Sequence, residues 1–198
     1  KKGVKMITWI WQAGGVASRA GAVVVPADVK GLKIRGGSRE MDMVLKEAGA
    51  AVMSLPSSEI YAAMQTGALD AAMTSSTSLM SFRLEEVSKA LVTGRGRAYW
   101  FMFEPLLMSR ASFERLPKDL QSLVTTVGTE LEKFAVESAR ADDQAVASVY
   151  AKSGAKIFDL SAATVKRWQD IARETAWKDF AARSDKCAQL LKLAEKVA

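Results

Sequence analysis

A regular alternation of short apolar runs and helical patterns between residues 32 and 87 constrains the fold of this chain most. Each apolar run has the length of a strand, and each segment after it has the spacing of an amphipathic helix. The predicted strands are Leu32–Arg35, Ala51–Leu55 and Ala68–Met73, and the predicted helices begin at Ser38, at Ser57 and after Met73. This pattern predicts an α/β fold with mostly parallel strands, in which ligands bind beyond the carboxyl ends of the strands.

Arg35 stands at the carboxyl end of the first of these strands and is followed by Gly36 and Gly37. A guanidinium can bind a carboxylate through parallel hydrogen bonds, and glycines let the backbone approach a ligand closely. The segment Glu59–Asp70 belongs to the next strand–helix unit and completes the pattern of a binding lobe. We therefore expect a site for a small organic anion, with a structural ion pair of Arg35 as the alternative.

An unbroken helical pattern extends from Pro117 to about Lys152, and only Gly128 departs from it. A helix of this length would be roughly 50 Å long, which exceeds the size of one small lobe. We expect this helix to brace two lobes, with Gly128 permitting a bend.

Two further segments have the composition of strands. Val4–Trp11 predicts a buried strand, whereas the Gly-, Ala- and Ser-rich stretch Ala13–Gly21 predicts a loop. Tyr99–Ser109 predicts a long extended segment that could cross between lobes, and Pro105 within it favours an edge position or a bend. Most aromatic residues in strands belong to the core, but Trp100 is a candidate for stacking on a ligand.

Composition excludes several kinds of function. Histidine is absent, which removes Ser-His-Asp and Cys-His catalysis and the H-E-x-x-H zinc site. The single cysteine, Cys187, excludes an intrachain disulfide and a cysteine-cluster metal site. The net charge of +6 is scattered over both halves, without the basic, aromatic-interleaved stripe of a nucleic-acid-binding protein. We expect no cofactor, no metal and no nucleic-acid partner.

The sequence also has no apolar run near the ~20 residues that a membrane span needs, so we do not expect a membrane-embedded protein. No N-terminal stretch has the pattern of a signal peptide. The chain is therefore expected to be either cytoplasmic or without its leader.

Three segments together resemble the extracytoplasmic solute-binding proteins of TRAP transporters, the DctP-like family. They are Asp28–Arg35, Ser58–Asp70 and the stretch from Leu107 to Pro117, and their order and spacing agree with the family over roughly residues 1–160. The resemblance implies an α/β fold of the periplasmic-binding-protein type, with two α/β lobes joined by crossing strands and a long spanning helix. Family members carry a further segment before the point that matches Lys1, so one lobe is expected to be incomplete here.

From the resemblance we expect residues 13–100 and 141–198 to form the ligand-binding lobe, lobe II. Residues 1–12 and 101–140 are expected to form a remnant of lobe I that includes part of the spanning helix. The expected ligand-binding residues are Arg35, Ser57, Thr74, Trp100 and Ser38.

Arg35 matches the arginine that grips the ligand carboxylate in the family. The family's second arginine has no counterpart at Gly14–Val16, and Arg19 lies a few residues late. The segment Ala72–Ser75 is less polar than in other members, which favours a bulkier or more apolar acid over a hydroxylated sugar acid.

The resemblance implies a periplasmic receptor that captures a small organic acid and delivers it to TRAP membrane permease subunits. An amino-acid or other small-molecule receptor of an ABC importer is the alternative, and it would need an acidic partner for an α-amino group near Arg35. A third hypothesis is an enzyme that uses carboxylates or lysine without histidine.

Overall fold

The computed structural model describes residues 3–196, so residues 1, 2, 197 and 198 of the predicted domain ranges lie outside the described part. Its strands are β1 (Val4–Ser18), β2 (Lys33–Arg35), β3 (Ala51–Met53), β4 (Ala71–Ser75), β5 (Ala90–Val92), β6 (Phe101–Ser109) and β7 (Lys156–Phe158). Its helices are α1 (Arg39–Glu47), α2 (Ile60–Thr66), α3 (Ser76–Ser81), α4 (Arg110–Glu114), α5 (Lys118–Lys152), α6 (Ala162–Ala172), α7 (Lys178–Ala182) and α8 (Asp185–Ala194). One turn of π-helix, Arg173–Trp177, joins α6 to α7.

The strands form a mixed sheet in the order β3-β2-β4-β1-β5-β7, and β6 pairs with β1 outside this order. β2 is parallel to β3 and β4, and β5 is parallel to β7. β1 runs antiparallel to β4 and β5 and so separates the two parallel groups. The predicted α/β class and strand–helix units are confirmed, and the central antiparallel strand makes the sheet more mixed than the alternation indicates.

The prediction of a loop at Ala13–Gly21 is wrong for most of its length, because β1 continues through Ser18. Residues 14–18 pair with β4 and are buried at the centre of the sheet. A Cβ atom on Gly15 would lie only 2.7 Å from the carbonyl oxygen of Val92. The small residues of this strand therefore reflect close packing and not a turn of the chain.

Helices cover both faces of the sheet and create two apolar cores. The first core contains Ile34 of β2, Val44 of α1 and Trp168 of α6. The second core contains Ile60 of α2 and Tyr150 of α5, with residues of α3. Since side chains alternate between the faces of a strand, these cores show which face each neighbouring residue occupies.

Before Ala13, β1 pairs with β6 alone as a two-stranded ribbon. The expectation of a buried strand at Val4–Trp11 is wrong, because one side of the ribbon is exposed: Trp11, Phe101 and Phe103 are 53%, 52% and 42% exposed. Exposed apolar residues that cluster in this way are uncommon on soluble monomeric proteins.

The long helix α5 contacts the ribbon and continues onto the second core. Its 35 residues confirm the predicted helix. The helix is continuous through Gly128, and a Cβ atom at this position would lie 2.2 Å from the carbonyl oxygen of Ile7. Gly128 is expected from the sequence to permit a bend. In the structure, its lack of a side chain lets the helix and the ribbon approach each other closely.

A polar cluster ties three elements together where the ribbon leaves the sheet. The Gln12 side-chain amide donates to Thr77 at 2.8 Å, and the Thr77 hydroxyl donates to Asp142 of α5. The Ser76 hydroxyl donates to Asp143 at 2.5 Å, while burial raises the pKa of the Asp143 carboxyl. These bonds hold the beginning of α3 against the middle of α5, beside the strands that leave the sheet.

An ion network on the surface joins α1 to α7. Arg39 donates two hydrogen bonds to Asp179, at 2.6 and 2.8 Å, and Arg183 donates to both Glu40 and Asp179 at 2.6 Å. The hydrogen bonds from Arg39, followed by those from Arg183, hold the pKa of Asp179 well below its usual range.

Replacing Asp179 by asparagine should make the stability of the protein less dependent on pH in acid. The folded pKa of this carboxyl lies below its unfolded value of about 3.9, so the network contributes stability above that pH and loses it as the pH falls. Urea unfolding should show a small advantage of the wild type at about pH 7 that shrinks below about pH 4. An advantage that persists unchanged into stronger acid would contradict this assignment.

Within residues 3–196, no helix is both long enough and apolar enough to cross a membrane.

Candidate ligand-binding site

The predicted site residues lie at the carboxyl edge of β2, β3 and β4. These three strands are adjacent and parallel, so Arg35 at the end of β2, the loop after β3 and Thr74 near the end of β4 meet at one edge. Gly14 of the antiparallel β1 enters the sheet at the same edge, where it pairs with Ser75. The topology therefore brings together residues that are distant in the sequence.

Arg35 is 9% exposed and is held by neutral acceptors. Its guanidinium donates to the carbonyl oxygens of Met73 at 2.9 Å and Leu55 at 3.3 Å, and to the hydroxyl of Ser57 at 3.2 Å. Among residues 3–196, no carboxylate forms an ion pair with it. Burial lowers the pKa of Arg35, an effect that the charge of Asp42 partly offsets. The edge thus holds a fixed, poorly solvated cation without an acidic hydrogen-bond partner.

Asp42 of α1 is the acidic residue whose charge Arg35 senses, and its role is not evident from the sequence. Its Oδ1 atom is buried without a hydrogen-bond partner and lies against Gly36, where a Cβ atom would be 2.0 Å away. Burial raises the pKa of the Asp42 carboxyl. One oxygen of this half-buried carboxylate is therefore packed against the backbone next to Arg35.

The two candidate serines have different local roles. Ser57 begins the single 3-10 turn before α2 and accepts the hydrogen bond from Arg35. Ser38 is exposed and caps α1, because its hydroxyl accepts a hydrogen bond from the Met41 amide at 3.2 Å. The helix cap predicted at Ser38 is confirmed, and only Ser57 is in direct contact with Arg35.

Thr74 shares a face of the sheet with Arg35. Ala72 belongs to the second core and Ile34 to the first, so alternation places the side chains of Thr74 and Arg35 on the second-core face. The Thr74 side chain is fully buried, and its hydroxyl lacks a hydrogen-bond partner. A buried hydroxyl without a hydrogen-bond partner lowers the stability of the folded protein, so Thr74 has an unused hydrogen-bonding group at this edge.

Trp100 approaches the same edge from the first-core face. It is 7% exposed and precedes β6, and its carbonyl oxygen accepts a hydrogen bond from the Gly14 amide at 3.3 Å. Its indole lies directly against Gly14 and Gly37, at the positions where Cβ atoms would otherwise be. The sequence does not indicate this position of the indole, because the position depends on glycines in two separate segments.

Arg19 and Arg95 are held by contacts elsewhere. The Arg19 amide bonds the Asp70 carbonyl oxygen at 2.9 Å and its guanidinium lies beside Gly67, before β4 begins and thus at the opposite edge. Arg95 follows β5 and forms hydrogen bonds of 2.8 and 2.9 Å with Asp159.

Two open clefts flank the ribbon where it meets the sheet, and Trp11 and Phe101 line both. The larger, of about 1150 Å³, contains Arg97 and Arg140. The smaller, of about 650 Å³, begins at Gly37 and Ser38, includes Trp100, and is the one next to the Arg35 edge.

Comparison with known proteins places this geometry in a family. The profile described as "DctP: Bacterial extracellular solute-binding protein, family 7" matches residues 1–184. A solute-binding protein from Albidiferax ferrireducens is 69% identical over 195 residues, which cover 98% of this chain and 58% of that protein.

Solved structures of TRAP solute-binding proteins have a similar fold. A TRAP periplasmic solute binding protein from Rhodoferax ferrireducens with bound malonate is 69% identical, with a TM-score of 0.94 over 98% of this chain and 62% of that chain. A TRAP solute binding protein from Rhodoferax ferrireducens T118 in complex with copurified benzoate is 22% identical, with a TM-score of 0.85 over 96% of this chain and 61% of that one. At that identity the second structure supports the fold alone.

The chain spans 58% to 62% of the length of these relatives, which are solute-binding proteins and not enzymes. The resemblance inferred from the three sequence segments is confirmed. The chain belongs to the DctP family of bacterial extracellular solute-binding proteins.

Proposed function

We propose that the protein containing this chain is the periplasmic receptor of a TRAP transporter and captures a small organic acid with Arg35. The observation that carries the proposal is the guanidinium at the carboxyl edge, which is 9% exposed and bonded to neutral acceptors. A buried cation without a counter-ion is unfavourable, and a ligand carboxylate would supply the missing charge.

The hydrogen bonds of Arg35 would prepare it for this task. The carbonyl oxygens of Leu55 and Met73 and the Ser57 hydroxyl hold the plane of the guanidinium in one orientation. A planar donor group that is already oriented loses little entropy when it binds a carboxylate through two hydrogen bonds. Thr74 with its unpartnered hydroxyl, Ser38 and Trp100 would form the surroundings of the ligand along the same edge.

A small carboxylate is the class of ligand that fits this site. The relative that is 69% identical holds malonate in its crystal structure. Malonate has planar carboxylates that a guanidinium can bind, and its short carbon chain needs little space. A second anchor for a diacid would have to come from a group other than Arg19, which lies at the opposite edge.

We further propose the two-lobed arrangement predicted from the resemblance, with residues 13–100 and 141–198 in lobe II. Residues 1–12 and 101–140 would belong to lobe I. In support, β1 pairs with β6 alone before Ala13, and α5 contacts both the ribbon and the second core. Closure of the lobes would bury the acid, and the closed receptor would deliver it to the membrane permease subunits.

A receptor for an α-amino acid in an ABC importer would need an acidic group at the same edge. Asp42 is the nearby candidate, because the charge of its carboxylate acts on Arg35. Its Oδ1 atom is buried against Gly36, where an ammonium group of a ligand could not reach that oxygen without displacing the backbone. Arg35 is oriented for a carboxylate, which organic acids and amino acids both carry, so titration with an amino acid distinguishes the two classes of ligand.

Isothermal titration calorimetry of the natural full-length protein tests the proposal. Malonate, benzoate and L-alanine should be titrated separately after removal of any co-purified ligand. We expect binding of at least one of the two organic acids and no heat of binding with alanine. Binding of alanine in preference to both acids would favour the ABC-type receptor and contradict the proposal.

A further inference from the structure

The indole of Trp100 fits its place only because two segments provide glycine there. A Cβ atom on Gly14 would lie 1.8 Å from the indole atoms Cε3 and Cζ3, and one on Gly37 would lie 2.2 Å from Cζ2. Both distances are far shorter than a van der Waals contact. The ring is therefore seated directly on the backbone of β1 and of the loop between β2 and α1.

This seat lies at the proposed binding edge. Gly37 is two residues beyond Arg35, and a Cβ atom on Gly14 would be 3.0 Å from the Thr74 carbonyl oxygen. In the sheet, β4 lies between β1 and β2, so an indole that touches both flanking segments spans the end of β4. Arg35 reaches the same end of β4 through its hydrogen bond to the Met73 carbonyl oxygen at 2.9 Å.

The indole is held as a fixed wall. Trp100 is 7% exposed and belongs to the first core, together with Met41 and Met73. The preceding residue, Tyr99, is stacked on Trp168 with ring centroids 4.6 Å apart, and the Trp100 carbonyl oxygen is bonded to Gly14. Turning the indole outward would expose a large apolar surface and disturb this packing, which is unfavourable.

We infer that the indole of Trp100, seated on Gly14 and Gly37, sets an upper limit to the size of the acid that the Arg35 edge accepts. This inference rests on the proposed function and names the specificity-determining residue of that site. A compact aliphatic acid such as malonate fits beside the wall, whereas an aromatic acid competes with the indole for space. The less polar segment Ala72–Ser75 alone favours a bulkier acid, but the position of the indole argues for a smaller one.

Shortening residue 100 should therefore change the ligand preference in a graded way. Loss of an aromatic side chain from a packed apolar site leaves a cavity, and such cavities of about 150 Å³ can bind a benzene ring. We expect Trp100→Phe to have a small effect and Trp100→Leu to shift the ratio of malonate affinity to benzoate affinity toward benzoate by at least about tenfold. Calorimetric competition titrations of the full-length protein with both acids give this ratio.

A second variant tests the seat without removing the indole. Gly37→Ala should weaken malonate binding because the new methyl group displaces the ring, and combining it with Trp100→Leu should remove this penalty. Gly21→Ala is the matched control, since a Cβ atom there meets nothing within 4 Å. Thermal unfolding of every variant shows whether it is folded. If the Trp100 variants are not folded, the comparison of Gly37→Ala with Gly21→Ala decides the question, and equal malonate affinities of these two variants would overturn the inference.

The outcomes separate this inference from the proposed function. A wild-type protein that binds neither acid contradicts the proposed function itself. An unchanged malonate-to-benzoate ratio in folded Trp100 variants, or equal effects of Gly37→Ala in the presence and absence of the indole, overturns the size limit alone.

Discussion

Arg35→Ala in the full-length protein is expected to abolish measurable malonate binding. The variant removes the cation and its oriented donors, so the ligand carboxylate would be buried without a partner. Breaking a buried charge pair in this way costs on the order of 3–5 kcal/mol, which corresponds to roughly a hundredfold to several-thousandfold weaker binding. The malonate affinity of Arg35→Lys should lie between those of the wild type and Arg35→Ala, because an ammonium retains the charge but not the planar pair of donors. Calorimetry measures both losses.

Arg19→Ala is the matched control for Arg35. It removes the same charge from the protein, but at the opposite edge of the sheet. Because Arg35 also bonds the Leu55 and Met73 carbonyl oxygens, its loss should lower the melting temperature as well, which thermal unfolding will reveal. A folded Arg35→Ala variant with unchanged malonate affinity would remove the basis of the proposed site.

Gly128→Ala is expected to destabilise the protein, although it places a better helix former inside α5. Alanine in a helix interior is normally more favourable than glycine by about 1 kcal/mol. Here the added Cβ atom would lie 2.2 Å from the Ile7 carbonyl oxygen, so the ribbon or the helix must shift. Overpacking of this kind costs about 1–3 kcal/mol in the free energy of unfolding, which urea denaturation measures.

Ser122→Ala is a suitable control, because this residue lies in the same helix and is exposed. It should leave the free energy of unfolding unchanged or slightly increased. The sign of the Gly128 effect is decisive. Stabilisation by Gly128→Ala would show that the close contact between α5 and the ribbon does not exist in solution.

The parts of the fold that depend on local patterns could be predicted from the sequence. The strand–helix units, the cap at Ser38 and the 35-residue helix follow from periodicity and from capping residues near one another in the chain. The central part of β1 could not be predicted, because its glycines and alanines indicate a loop locally. They form a strand because they pair with β4 and β5, and Gly14 and Gly15 lack side chains because Trp100 and Val92 pack closely against them.

The same distinction holds for the candidate site. Arg35 could be placed in advance at the carboxyl end of a predicted strand, whereas Ser57 is expected only from the resemblance to the family. The contact of Asp42 Oδ1 with Gly36 is local but leaves no pattern in the sequence, and the contacts of Trp100 with Gly14 and Gly37 join distant segments. The resemblance to the family supplied Thr74, but only the structure shows that its hydroxyl is buried without a partner.

A crystal structure of the full-length protein with malonate is the most direct test of the central claim. We expect two oxygen atoms of one ligand carboxylate to lie within about 3 Å of guanidinium nitrogens of Arg35. We also expect Ser57 to remain bonded to the same guanidinium. A ligand bound elsewhere, with Arg35 facing solvent or paired with Asp42, would contradict the account.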